Sequence, residues 1–203
     1  MNEHIWWYVA RSCGVVAWAL GTASVVWGMA LSSRALGRRP RAPWLLDLHR
    51  FLGGLTVLFV FAHMAALIAD SYVHFTLLDV LVPFAASWKP GAVAWGVVAF
   101  YILIAVEVTS LLRSRLSKKT WRAVHLSSYG VYVLSSIHFL AAGSDAGPAT
   151  RVGIIASLGF VLFFLVYVAI GPGRAASVSS HAAGRRQETM TARPNHQPAS
   201  RVR

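Results

Sequence analysis

Apolar residues in this chain fall into five long stretches separated by polar and basic segments. A helix needs roughly 20 apolar residues to cross the hydrocarbon core of a bilayer, and each stretch is of that order. They run from about Val9 to Leu31, Leu48 to Ala69, Val93 to Leu112, Ala123 to Ala142 and Val152 to Ile170. The first is entered through Trp6, Trp7 and Tyr8. It is not expected to be a cleavable signal peptide, since it opens with Glu3 rather than a basic segment and its apolar run is too long. The segment Asp70 to Ala92 is a long connection. Its apolar middle, Phe75 to Ala86, is too short to cross and contains Pro83. It is expected either to lie in the interface or to fold back over the outer mouth of the bundle. From Gly171 the chain turns to Ser, Ala, Arg, Pro and Gln with no apolar period. The expected organisation is an all-α polytopic membrane bundle over residues 1–170 and a basic disordered tail over 171–203, drawn to anionic lipid.

The connections alternate in charge. Five arginines (34, 38, 39, 41 and 50) lie between or just inside the first two spans. Five basic residues (113, 115, 118, 119 and 122) lie between the third and fourth, and six arginines lie in the tail. Sixteen of the nineteen basic residues therefore share one side, leaving Arg11, Lys89 and Arg151 on the other. Basic loops stay in the cytoplasm, so the N-terminus is expected outside and the C-terminus inside.

Composition supports the membrane reading. Hydrophobic residues make up 56% of the 203, and charged residues 13%, about half the share of a soluble domain. A net charge of +12 in a soluble chain would suggest nucleic acid. Here the bases cluster between apolar runs and set topology, so no nucleic-acid partner is expected. A single cysteine, Cys13, excludes an intrachain disulfide, a Cys-rich zinc site and covalent c-type haem attachment.

Eight histidines are present. His4, His74, His181 and His196 fall outside the spans, where a surface role suffices. His49 and His63 lie in the second span, and His125 and His138 in the fourth. An ionisable residue inside a membrane helix is costly and is by default a functional-site hypothesis. The members of each pair are 14 and 13 residues apart, about 21 and 20 Å along a helix. Both helices run outward, so His49 and His125 share one level near the cytoplasm, and His63 and His138 share another near the outside. Two imidazoles facing across a gap at each level can hold a porphyrin iron from both sides. Two levels imply two stacked b-type haems. Zinc would want four ligands together, and a di-iron carboxylate site would want several Glu where the spans offer only Glu107. A proton relay could use spaced histidines, but it does not call for matched levels. In an ideal fourth helix His138 would point about 140° from His125. Either that helix is distorted near Ser127, Ser128 and Gly130, or the two haems approach it from different sides.

Haem propionates need cations or water. Arg50 beside His49, Arg122 one turn before His125, and Arg11 in the first span are the candidates. Against them stand topology for Arg50 and Arg122, and snorkelling to the interface for Arg11. Glu107 is either a proton carrier or, preferably, a partner of a loop arginine. Small residues (Gly53, Gly54, Ala62, Ala65, Ala66, Ser127, Ser128, Gly130) would admit a flat macrocycle or simply pack helices. Phe59, Phe61, Tyr129 and Tyr132 lie between the levels.

His-x13-His on one helix and His-x12-His on the second-next resemble the ferric reductase-like transmembrane domain. This group includes ferric reductases, NADPH oxidases and the haem subunit of periplasmic methionine sulfoxide reductase. The strings LDLHRFLGGLTVLFVFAHM, WRAVHLSSYGVYVLSSIHF and WYVARSCGVVAW carry the resemblance, over roughly residues 6 to 170. It implies an electron-carrying membrane subunit of an oxidoreductase, with His49 and His125 on the inner haem iron and His63 and His138 on the outer. Many members have six spans, where five are expected here. Ferric reductases and NADPH oxidases also carry FAD and NADPH domains, whereas only 33 residues follow the fifth span and no glycine-rich dinucleotide fingerprint appears. The chain is therefore expected to bind no FAD or NAD(P). It would take electrons from a separate flavoprotein or a membrane quinol and pass them to ferric iron, oxygen or an extracytoplasmic partner protein. A bacterial cytoplasmic membrane is the expected location. The other readings are a quinol-linked cytochrome b of another type and a non-redox proton or metal transporter.

Overall fold

The computed structural model describes residues 4–32, 43–143 and 147–170, the last without the side chains of 168–170. Glu3, the arginines at 34, 38, 39 and 41, Asp145 and the tail with His181 and His196 lie outside the described residues. Those described are helical, with no strand. The helices are α1 (Ile5–Ser32), α2 (Pro43–Ala69), α3 (Leu77–Leu81), α4 (Pro90–Leu111), α5 (Lys118–Leu126), α6 (Ser128–Ala142) and α7 (Pro148–Ile170), with a 3-10 turn at Arg113–Arg115. By its contacts the chain divides into two units, Met1–Leu162 and Phe163–Arg203. Of the second unit, the described part is the last turns of α7, where Phe164 and Tyr167 pack ring to ring at 6.2 Å.

Among the described residues, four helices are long and apolar enough to cross a membrane: α1, α2, α4 and α7. The expected span at 123–142 is instead split. Ser127 closes α5 with its N–H on the Val124 carbonyl at 3.0 Å and its hydroxyl on the same carbonyl at 2.6 Å. The chain resumes as α6, with Val131 N–H on Ser127 O at 3.0 Å. A hydroxyl that bonds back to its own helix bends or breaks it. Of the two expected accounts of the fourth segment, the distorted helix is therefore the one found. The 15 residues of α6 cover only about 22 Å.

The first unit is built from two antiparallel pairs. In α1 and α2, Gly14 lies against His63, Gly21 against Thr56 and Gly28 against His49. Each step is seven residues on both helices, so one face of each helix is used throughout. The second pair is α4 with α5 and α6, where Gly96 lies against His138 and Ser110 reaches His125. The pairs are tied by Trp18 Nε1–H on Ser136 Oγ at 2.9 Å and by Phe61 edge-on to Phe100 at 5.6 Å. Tyr132 and Ser157 share a 2.8 Å hydroxyl contact that fastens α7 to α6.

The segment after α2 folds back against the helix ends. Phe75, Val80 and Ala86 form a buried cluster with Val93 and Val97, covered by Met64, Leu67 and Trp88. Asp70 starts the return, accepting the N–H groups of Tyr72 and Val73 at 3.1 Å each. Thr76 and Asp79 then form a reciprocal capping box on α3. Tyr101 O–H donates to Leu81 O at 2.7 Å and holds α3 to α4. The opposite face, with Leu77, Leu78 and Phe84, stays 62–72% exposed. The segment folds back against the helix ends, as one of the two expected dispositions requires.

Candidate functional site

His49 and His63 of α2, His125 of α5 and His138 of α6 meet in two pairs. The rings of His49 and His125 are 6.0 Å apart between centroids and those of His63 and His138 are 6.4 Å apart, with planes crossed at 76° and 79°. Both pairings are those expected from sequence.

At each level, α2 supplies one histidine and α5 or α6 the other, while α1 and α4 supply their backing. His63 Nδ1 lies 2.6 Å from Ala10 O on α1. His138 Nδ1 lies 2.7 Å from Ala92 O on α4. A carbonyl only accepts, so both rings carry their proton on Nδ1 and keep a lone pair on Nε2. His49 Nδ1 meets Ser24 Oγ at 3.3 Å, and His125 Nδ1 meets Ser110 Oγ at 3.4 Å. Behind each ring Nδ1 thus faces an oxygen, closely at His63 and His138 and at longer range at His49 and His125. Where histidine ligates a metal its other nitrogen is usually held by a carbonyl, carboxylate or water, as the Ala10 and Ala92 carbonyls hold His63 and His138.

Three of the four rings also lie on glycine. A Cβ added at Gly14 would come within 3.1 Å of His63 Nδ1. One at Gly28 would come within 3.1 Å of His49 Cε1, and one at Gly96 within 2.8 Å of His138 Nδ1. At Gly96 a Cβ would force the imidazole to shift, and at Gly14 and Gly28 the ring would have to give by a few tenths of an ångström. Sequence reasoning missed Gly14, Gly21, Gly28 and Gly96. The available signal was the seven-residue repeat of glycine in the first span, matched by the seven-residue steps His49, Thr56, His63.

An apolar cavity of about 550 Å³ opens at the His63–His138 level, within the usual range for ligand pockets. Both histidines line it, with Trp18, Phe100 and Phe139 among its aromatic walls. It extends along α1 to Gly21 and along α2 to Thr56, halfway to the other level. Arg11 also lines it, with its guanidinium 5.8 Å from the centre of the Trp7 ring.

The other expected residues fall differently. Arg50 is exposed and pairs with Asp47 at 3.4 Å. Arg122 is exposed. Among the described residues no arginine pairs with Glu107, which instead sits in the seam between α4 and α2 with Oε1 against Gly53. Gly54 and Gly130 face open space. Phe61 is half exposed and pairs with Phe100. Cys13 is a free thiol.

Among the described residues no three His, Cys, Asp or Glu side chains cluster to hold a metal ion. Each level offers two nitrogen ligands across a gap. Two imidazoles at a metal–nitrogen distance of about 2 Å on opposite sides of one ion place their ring centres roughly 6 Å apart, which is the spacing found at both levels.

The family described as ferric reductase like transmembrane component matches over residues 13–136, most of α1 through α6. No curated protein and no solved structure matches the chain.

Proposed function

The chain belongs to the ferric reductase-like transmembrane family and is an integral membrane redox component, and from that premise we propose that it is a di-haem b-type electron-transfer protein, the membrane subunit of an oxidoreductase. Members of this family generally bind haem. The observation that carries the reading is the matched geometry of the two histidine pairs. Each has crossed imidazoles with ring centres about 6 Å apart, and main-chain carbonyls on the Nδ1 of His63 and His138 leave the Nε2 of those two rings for a ligand.

The residues fit the group. Glycines 14, 28 and 96 leave room for the rings, and a largely apolar cavity lies at the His63–His138 level. His49 with His125 would hold one haem and His63 with His138 the other. When bound, the two haems supply one-electron transfer, and histidine on both faces leaves no open position for oxygen. Ala10 and Ala92 carbonyls hold the Nδ1 protons and orient the rings, and Ser24 and Ser110 do so more loosely. Arg11 lines the cavity and would serve a propionate at that level; Arg50 and Arg122, next to the other level in sequence, are exposed. A haem macrocycle is largely apolar, as the cavity walls are.

The basic connections support placing the His49–His125 level toward the cytoplasm, with the N-terminus outside. Electrons would then enter there from a separate flavoprotein or a membrane quinol. They would leave at the His63–His138 level to ferric iron or an extracytoplasmic partner, in a bacterial cytoplasmic membrane. The test is a reduced-minus-oxidised spectrum of the purified protein with haem counted per chain. Two b-type haems support the proposal. One haem confines it to a single level. No haem, in cells able to make it, overturns it and leaves the histidines as a proton or metal path.

A further inference from the structure

We infer that Trp121 is a positioning residue that sets the ring plane of His125. The inference rests on the haem reading above and concerns the least-fastened of the four histidines. His63 and His138 are held by main-chain carbonyls at 2.6 and 2.7 Å. His49 has Ser24 at 3.3 Å and the Gly28 seat. His125 has only Ser110 Oγ at 3.4 Å, beyond the range of a good hydrogen bond. No described glycine lies against its ring. It also stands at the last turn of α5, two residues before the break at Ser127, where the backbone holds it least.

Trp121 is one turn earlier on the same helix, the spacing at which helical side chains meet. Its ring stacks on His125 at 4.9 Å with the planes only 20° apart. The other ring contacts of the four histidines are edge-on, at 76° and 79°. The Arg113 guanidinium from the preceding 3-10 turn lies 4.5 Å from the centre of the same indole and adds a cation–π contact to it. The indole Nε1–H is buried without a hydrogen-bond partner among the described residues. The contact that this side chain makes is therefore through its face. A near-parallel stack restricts rotation about the His125 Cβ–Cγ bond, which a long hydroxyl contact does not. The crossing angle of 76° with His49 depends on it.

Crossed and parallel axial imidazoles give low-spin ferric haem different electron paramagnetic resonance positions, so the ring plane can be read directly. Trp121→Phe keeps a stacking face, and Trp121→Leu removes it. The expected result is that Trp121→Leu moves the signal of one haem away from the crossed-imidazole position. It also weakens retention of that haem by the roughly 10- to 100-fold typical of a lost supporting contact. Trp121→Phe should leave the signal near its original place. The haem on His63 and His138 stays unchanged in both variants and reports that the bundle is folded. The His138→Ala protein, with one level left, assigns the moving signal to His49 and His125. Identical signal position and haem content in Trp121→Leu and the parent overturn the inference while leaving the haem reading intact. A parent protein without haem overturns both, and its spectrum tells the two failures apart.

Discussion

Gly96→Ala tests the seating of the histidines most sharply. The added Cβ would lie 2.8 Å from His138 Nδ1, 2.9 Å from Cε1 and 3.1 Å from Cγ. Carbon contacts are comfortable at about 3.5 Å, so the ring must yield by roughly 0.7 Å. If it yields along its bond to Ala92 O, the 2.7 Å contact lengthens to about 3.4 Å, past useful hydrogen bonding. The lost bond is worth about 1 kcal/mol, and overpacking adds about 1–3 kcal/mol. Together these amount to about 2–4 kcal/mol, or roughly 30- to 700-fold in affinity for the bound group if all of it is felt there. The assay is haem per chain after purification, with the melting temperature alongside. Gly96→Ala should fall toward one haem. Gly28→Ala, whose Cβ stops 3.1 Å from His49 Cε1 and 3.6 Å from its Nδ1, should loosen the other haem more mildly. Gly54→Ala and Gly130→Ala meet nothing within 4 Å and should change neither. Two haems with an unaltered spectrum in Gly96→Ala would refute the argument that glycine is there to seat the ring.

His63→Ala or His138→Ala should each remove one haem and spare the other, and His49→Ala or His125→Ala should do the converse; loss of both haems from every variant, with the fold intact, would contradict two separate levels. Gly53→Ala places a Cβ 2.6 Å from Glu107 Oε1, so its cost should be largely relieved by Glu107→Ala, with a coupling of about 0.5–3 kcal/mol in a double-mutant cycle; additive effects would place the carboxyl elsewhere. The Thr76 backbone N–H and hydroxyl donate to Asp79 at 2.7 and 2.8 Å and hold its carboxyl below the usual range. Its contribution is therefore complete above about pH 4 and lost only as pH falls through the lowered native value. Amide exchange over residues 77–82 should thus stay slow from neutral pH down to that point, and acceleration between pH 7 and 5 would count against the capping box. A membrane-impermeant label on a cysteine placed in the tail should react only from the cytoplasmic side; reaction from outside would reverse the assigned direction of electron flow.

The sequence by itself determined the membrane class, four of the five expected apolar spans and which histidines meet. Apolar run length is a one-dimensional quantity matched to bilayer thickness, and a 14- or 13-residue separation becomes a height once the segment is helical. The membrane then aligns helices so that equal heights meet. That reasoning also located the weak point of the fourth segment near Ser127, because the 13-residue spacing is out of phase with a regular helix. The tertiary structure decided what lies behind each ring. Glycines 14, 21 and 28 and the steps His49, Thr56, His63 are both visible as repeats, but their register depends on how two helices slide along each other. The same applies to the Ala10 and Ala92 carbonyls, since a backbone acceptor has no sequence signature. Arginines near the histidines in sequence could be assigned no direction from sequence, and Arg50 turns out to face Asp47 rather than the site. Glu107 was legible as an anomaly, but its place against Gly53 in the α2–α4 seam follows from packing. Trp121 was given no role from sequence, and only the turn of α5 lays its ring on His125. Heights along the membrane are set by residue counts, whereas the angles and contacts around each histidine are set by which helix packs beside it.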